Sequence, residues 1–410
     1  MPRGMQEEEQ EFEDLSSYSS AENHNKKRKS KKGNTAVLIV LAAVSVLLIA
    51  AGALMIYIST NLVKDLSTTT ITKDPEELGI SAAAIMDDSV TNIALFGVDA
   101  RNDDFSGQSD VIMILTVDNK HGKLKLTSIL RDTLVPIEGE TLDGGYIDEA
   151  AKINAAYEEG GPELAIRTIN RNFGLNIRNY VTVNFAHMAA IVDAFGGVDV
   201  DLTSEEVLAL DRNLWNLSQE VLRQAEIDRE NGETRRYPLV ENGDYIRDIA
   251  GGLDLEYGAY REGRYHLNGN QTVAYGRIRD VGDDYARVDR QQEVFALLIG
   301  RLLSMGVTDY PSLIQSMMPH CETSMTLSDV VSLTPILLHG FTVEKIKVPD
   351  LSHETDLYDG QADDGAYYLD YNISEAAKRI SSFIYEEASP YWEEYGNTGL
   401  VARTGGSAAD

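Results

Sequence analysis

The chain has 410 residues, 66 acidic against 36 basic side chains, a formal net charge of -30 and one cysteine, Cys321. Charge of this sign excludes nucleic acid as a general partner, since the phosphate backbone is held by dense Lys and Arg, and it excludes adhesion to anionic lipid by charge alone. A single cysteine excludes an intramolecular disulfide, so any exported domain must be held by its core.

Residues 1–33 are polar and balanced, with seven positive and seven negative side chains. The acidic half runs from Glu7 to Asp14 and the basic half from Lys26 to Lys32. From Val37 to Ile58 no residue is charged. At about 1.5 Å per residue such a run spans a hydrocarbon core of roughly 30 Å. The basic cluster directly before it places residues 1–33 in the cytoplasm by the positive-inside rule. The expectation is a signal-anchor over 34–59, a single-pass protein of the cell membrane and everything beyond on the outer face. A cleaved signal peptide is the rival reading, but its apolar region is usually about 7–15 residues and its charged leader shorter.

Residues 60–89, with Thr68, Thr69, Thr70 and Pro75, read as a linker or stalk, and the folded domain is expected over 90–390. Val90–Val98, Val111–Val117 and Lys123–Leu130 are apolar or alternating runs separated by Asn, Asp and Gly turns, and read as strands. Ala-rich Glu149–Glu158 carries a helical signal, and Pro162 suits the first position of a helix after Gly160-Gly161. Tyr180–Val183 reads as a strand, Ala186–Phe195 as a helix stopped by Gly196-Gly197, and Val198–Val200 as extended. Helices on both sides of a sheet follow, in a layered α/β domain. The runs themselves leave parallel and mixed pairing open.

Residues 203–262 read as an insertion. Thr203 and Glu206 form a capping box, and Val207, Leu210, Leu214, Leu217 and Val221 make an apolar stripe at spacings of three and four. Either the stripe packs on the core or it forms a lid over a lipid tail. Further helices are expected at 291–304, 326–338 and 373–387, with a strand at Phe341–Val348; residues 305–390 extend the fold and 391–410 form a loose tail.

Against the acidic background, a set of arginines recurs in short motifs. Arg131 lies in Ser-Ile-Leu-Arg-Asp with Asp132, Arg277 and Arg279 in Tyr-Gly-Arg-Ile-Arg, and Arg287 and Arg290 in Arg-Val-Asp-Arg-Gln, which ends at Gln291. Guanidinium presents a planar fork of donors that fits phosphate oxygens in pairs. Arg277 and Arg279 would share a side in extended structure, and Arg287, Arg290 and Gln291 one face of a helix. The alternative is a set of surface ion pairs with Asp280, Asp283, Asp284 and Asp289, each worth about 0–1 kcal/mol. Asp99 follows one strand and Asp110 begins the next, so the loop between them could bring two hard carboxylates to one rim, as Mg²⁺ beside a phosphate requires. Ordinary loop aspartates are the plain alternative.

Seven blocks in order carry a resemblance: Asn92–Arg101, Ser109-Asp110, Ser128–Thr133, Lys152–Tyr157 with Gly160-Gly161-Pro162, Val192–Val200, Leu267–Gly269 leading into Ala274–Arg279, and Arg287–Gln291. Together they resemble the LytR–CpsA–Psr family of cell-envelope proteins over roughly residues 91–305. One departure is Leu130, where the family usually has proline; the substitution is expected to loosen the local backbone. The resemblance implies a layered α/β/α domain with a central mixed sheet. It also implies transfer of a glycopolymer from a polyprenyl-pyrophosphate carrier in the membrane lipid onto peptidoglycan. Mg²⁺ (or Mn²⁺) would sit on Asp99 and Asp110, and an apolar tunnel would take the polyprenyl chain. Arg131, Arg277, Arg279, Arg287 and Gln291 become the pyrophosphate binders, with Arg101 beside them. Asp99, Arg131 and Asp132 become the catalytic group, and Asp289 and Arg290 structural residues.

Two other readings share the site. With water as acceptor it would be a polyprenyl-pyrophosphate phosphatase, and without turnover a binding or regulatory module for lipid-linked glycans. The scattered histidines lack zinc-like spacing, and there is no Walker A or Gly-x-Ser-x-Gly motif.

Overall fold

In the computed structural model, the structure describes residues 67–82, 84–98, 105–232, 240, 242–246, 260–305, 309–333, 341–354, 356–361, 365 and 367–386. The expected anchor, the cytoplasmic tail, the 391–410 tail, Asp99 and Arg101 lie outside the described residues. Among the described residues no helix is long and apolar enough to cross a membrane.

The strands in chain order are β1 (Ser67–Thr68), β2 (Val90–Val98), β3 (Ser109–Asp118), β4 (Lys123–Ile129), β5 (Leu134–Glu140), β6 (Tyr146–Lys152), β7 (Asn179–Asn184), β8 (Val198–Leu202), β9 (Gly263–Leu267), β10 (Glu322–Thr323), β11 (Thr342–Val348), β12 (Tyr358–Gln361) and β13 (Tyr367–Asp370). Seven of them form one sheet in the order β1-β10-β7-β2-β3-β4-β11. The pairing is mixed: β2–β3 and β3–β4 are antiparallel, while β2–β7 and β4–β11 are parallel. Three antiparallel two-stranded pairs, β5–β6, β8–β9 and β12–β13, stand apart from it.

Along β3 successive side chains alternate between two apolar layers. Ile112 and Ile114 belong to a large cluster with helix α1 (Ala155–Phe173) and the C-terminal helix α8 (Ile373–Tyr385). Leu115 and Val117 face the other way, toward Ile299 on α5 (Asp284–Ser304). Both faces of the sheet are therefore covered, which is the expected α/β/α layering. A third cluster joins α2 (Phe185–Ala194), β8, α3 (Ser204–Asn231), α4 (Gly269–Gly276) and α5. Short helices α6 (Tyr310–Met317) and α7 (Leu327–Ser332) complete the set.

Several sequence boundaries are corrected. Residues 67–89 are not a free stalk: β1 pairs with β10, and Leu78 is 0 % exposed in the main core with Ile71 and Ile80. The Ala-rich stretch at 149 is not helical at its start, because residues up to Lys152 pair as β6 with β5. Helix α1 then begins at Ala155 and is broken at Gly160-Gly161; Gly161 has φ 65°, a left-handed conformation natural for glycine. Pro162 restarts the helix in the N1 role its position suggested. Within the expected extension, the described residues supply β10 and β11 to the main sheet and α8 to the main core.

Candidate functional site

One end of the sheet gathers the chemistry. Strands β3 and β4 are antiparallel, with Ile112 opposite Ile129. Two residues further along the same register bring Asp110 opposite Arg131. The result is an ion pair from Arg131 Nη1 to Asp110 Oδ1. Arg131 Nε also donates to Asp132 Oδ2 at 3.3 Å, and Lys152 Nζ donates to Asp132 Oδ1 at 2.7 Å. Asp132 is buried and sits behind Arg131, where it orients the guanidinium and does not line the cleft. Burial works against the Arg131 charge, but Asp110, Asp132 and Asp284 outweigh it and hold its pKa above the ordinary value.

The backbone before Arg131 is firm. Leu130 is buried and its N–H donates to Val348 O at 2.9 Å. A proline there has no N–H to give. Leucine at this position therefore ties the Arg131 segment to β11; the expected loosening does not occur.

Above the sheet edge lies a cavity of about 1050 Å³, and Asp110, Arg131, Arg277, Arg279, Arg287 and Gln291 all line it. Arg277 and Arg279 reach it from a turn and not from a strand. Arg277 caps α4 with near-helical φ -100° and ψ -1°, and buried Ile278 between the two arginines anchors the turn. The turn is set by the preceding motif. Asn268 and Gln271 form a capping box at the start of α4, and Gly269 packs on α2, where a Cβ would lie 2.0 Å from Ala189 O. Arg277 Nη2 lies 3.8 Å from Glu220 Oε2 on α3. Among the described residues Arg279 forms no ion pair, and its side chain is exposed.

Helix α5 sorts its motif by direction. Arg287 and Gln291, one turn apart, face the cleft. Arg290 points away and is structural: it donates to Glu206 Oε1 at 3.0 Å, Ile278 O at 3.1 Å and Val281 O at 2.5 Å. Asp289 pairs with Lys347 at 2.7 Å, and Gln292 donates to Ser128 Oγ at 2.8 Å. Arg287 is 5 % exposed, and its Nε has no hydrogen-bond partner among the described residues. Burial, with the nearby charges of Arg131 and Arg279, pushes its pKa below the ordinary value against the pull of Asp284 and Asp110. A buried cation with an unused donor, beside two more cations, is a cavity wall built to receive an anion.

Of the two expected metal carboxylates, Asp110 is the one among the described residues, and it could hold a divalent metal. Asp110 offers a hard carboxylate whose Oδ2 accepts no hydrogen bond among the described residues, at the edge of the cationic wall. Asp99, which would be its partner carboxylate, follows β2 directly in the sequence. Cys321 takes no such part: burial pushes its thiol up to about 11, away from a reactive thiolate.

Residues outside the arginine and aspartate motifs complete the lining. Gln108 and Glu158 hydrogen-bond each other at 2.8 Å on one side. Asn213, Asn216, Leu217, Gln219, Glu220 and Arg223 of α3 form the other. Val207, Leu210 and Leu214 bury the start of the α3 stripe on the core as the packing reading expects, while Leu217 turns to the cleft. Apart from Leu217, the side chains that α3 gives to this lining are polar or charged.

The chain is similar to proteins named as teichoic acid transferases. It is 27% identical over 267 residues to the polyisoprenyl-teichoic acid–peptidoglycan teichoic acid transferase TagV of Bacillus subtilis, covering 64% of this chain and 56% of that protein. The chain thus spans only about half the length of TagV. To the transferase TagU of Bacillus mycoides it is 25% identical over 346 residues, covering 83% of this chain and 93% of the relative. Among solved structures, protein gbs0355 of Streptococcus agalactiae shares the fold with a TM-score of 0.52 at 22% identity, over 75% of this chain and 95% of that one. The model of the LytR_cpsA_psr family matches residues 54–382. With that match running through the sheet, the arginine turn and helix α5, the chain belongs to the LytR_cpsA_psr family.

Proposed function

We propose that this protein transfers a glycopolymer from a polyprenyl-pyrophosphate carrier onto peptidoglycan, on the outer face of the membrane that Val37–Ile58 would span. The observation that carries the reading is the convergence of Arg131, Arg277, Arg279 and Arg287 on one cavity with Asp110 at its edge. The named activity of the TagU and TagV relatives supports the same class of reaction.

An acceptor hydroxyl oxygen attacks the phosphorus that carries the glycan. The new P–O bond forms as the bridging pyrophosphate P–O bond breaks, and polyprenyl phosphate leaves with the bond's electron pair. The hydroxyl proton would pass to a carboxylate, a role for which the metal-side aspartate Asp99 is the proposed residue. Such a reaction asks mainly for positioning and charge stabilisation. Buried Arg287 and half-buried Arg131 are suited to the bridging region, and Arg277, Arg279 and Gln291 to the outer phosphate oxygens. Each charged hydrogen bond contributes about 1.5–3 kcal/mol, more where water is excluded. Asp110 and Asp99 would hold Mg²⁺, which supplies charge neutralisation at the phosphates. Asp132 and Lys152 fix Arg131 in place.

The test is an assay with a lipid-pyrophosphate-linked oligosaccharide, peptidoglycan and Mg²⁺. Covalent transfer that Arg277→Ala abolishes is the expected result. Release of a free sugar phosphate alone would replace the transferase by a hydrolase, and binding without turnover would leave a binding module.

A further inference from the structure

Helix α3 belongs to the segment that no motif explains, yet it contributes six side chains to the cavity wall. Asn213, Asn216, Leu217, Glu220 and Arg223 recur at spacings of three and four, one face of a helix. The face is chemically distinct from the arginine wall opposite. It offers amides at Asn216 and Gln219, a carboxylate at Glu220 and a guanidinium at Arg223, with a single apolar side chain. Asn213 is already committed to Ala274 O at 3.0 Å and holds α3 against α4. Asn216, Gln219 and Arg223 are exposed to the cavity.

Such a wall repels a polyprenyl chain, because burying unpaired amides against hydrocarbon is costly. It matches a surface of hydroxyls and N-acetyl groups, which offer donors and acceptors at every position. Its place relative to the pyrophosphate site follows from Glu220, whose carboxylate stands 3.8 Å from Arg277. A ligand whose pyrophosphate lies on Arg277 would extend its non-lipid side along α3.

Resting on the transferase reading above, we propose that Asn216, Gln219 and Arg223 of α3 bind the sugar residues next to the pyrophosphate of the donor and set which glycopolymer is accepted. Glu220 links this subsite to the phosphate site by holding Arg277 until the donor's oxygens take its place.

The experiment uses the full chain in detergent and two synthetic short-chain polyprenyl pyrophosphates, one free and one carrying a disaccharide. Because Asn216 and Gln219 are exposed, the Asn216→Ala/Gln219→Ala variant should fold normally, which a thermal melt checks. It should bind the disaccharide-linked lipid about tenfold more weakly, the effect of one or two lost sugar hydrogen bonds, with binding of the sugar-free lipid unchanged. Arg287→Ala should weaken both lipids alike. Equal loss on both lipids in the α3 variant, no loss on either, or a loss seen only in the KM for the peptidoglycan acceptor would each overturn the subsite. Failure of the wild type to bind either lipid would instead sink the transferase reading, and this inference with it.

Discussion

Arg287 allows a prediction in which stability and function move in opposite directions. Its side chain is almost fully buried, and Asp284 Oδ2 at 3.2 Å is its ion-pair partner. Its Nε is unpaired among the described residues, and Arg131 and Arg279 bring like charge nearby. An unsatisfied buried donor costs about 1–3 kcal/mol, more when charged, whereas a partly exposed ion pair returns roughly 0–1 kcal/mol. Arg287→Met keeps an unbranched stem of similar length, removes the orphaned donor and forfeits the pair. The variant should therefore be more stable by about 1–2 kcal/mol, a melting temperature higher by roughly 2–5 °C. Its transfer rate should fall by about 10- to 100-fold, the equivalent of one charged hydrogen bond to the pyrophosphate. Thermal melts with and without inorganic pyrophosphate separate the two effects. Pyrophosphate at about 100 times its Kd should stabilise the wild type by roughly 2.7 kcal/mol and the variant by much less. A variant that is less stable than wild type by about 1 kcal/mol or more, yet still stabilised by pyrophosphate, would refute the claim that Arg287 is held under strain for an anion.

Other consequences can be measured independently. Lys125 and Asp118 are both 0 % exposed and pair at 2.8 Å, so Lys125→Met should cost about 3–5 kcal/mol in urea unfolding by stranding a buried carboxylate, and adding Asp118→Leu should recover most of it. Burial pushes the Asp118 carboxyl up, but Lys125 and His121 outweigh it and hold its pKa below the ordinary value. Its contribution is therefore fully present above about pH 4 and is lost as the pH falls from there toward the folded value; the double variant should show a shallower acid limb in stability against pH, and an unchanged limb would count against the pair. Leu130→Pro should destabilise this chain by about 1–3 kcal/mol through the lost bond to Val348 O, readable as a lower urea midpoint. Asp110→Asn should raise the Mg²⁺ needed for half-maximal transfer by more than the roughly 10–100-fold seen for losing an outer-shell partner, and an unchanged Mg²⁺ dependence would remove Asp110 from the metal site.

The alternation of Lys123–Leu130, the capping box at Thr203 and Glu206, and Pro162 after a glycine pair are local signals. Strand pleat, a helix's open N–H groups and a missing proline N–H act within a few residues, so these elements were legible in the sequence. The arginine motifs were legible as chemistry for the same reason, because a guanidinium cluster in a chain of charge -30 is a compositional anomaly. What each arginine faces was not legible. Arg287 and Arg290 sit three residues apart in one motif, and only the packing of α5 against the Ile278 turn sends one into the cleft and the other into carbonyls. The partnership of Asp110 with Arg131 required the β3–β4 register, and the role of Leu130 required β11, more than two hundred residues away, to be laid beside β4. The α3 wall left no motif, since amides exposed along a helix look like any solvated face until the fold lays a cavity alongside them. Sequence by itself determined the guanidinium-rich chemistry of the candidate site and most of the elements, because those depend on residue type and near-neighbour spacing. Tertiary structure alone decided which of those groups share a cavity and which hold it in shape, because that depends on contacts between residues far apart along the chain.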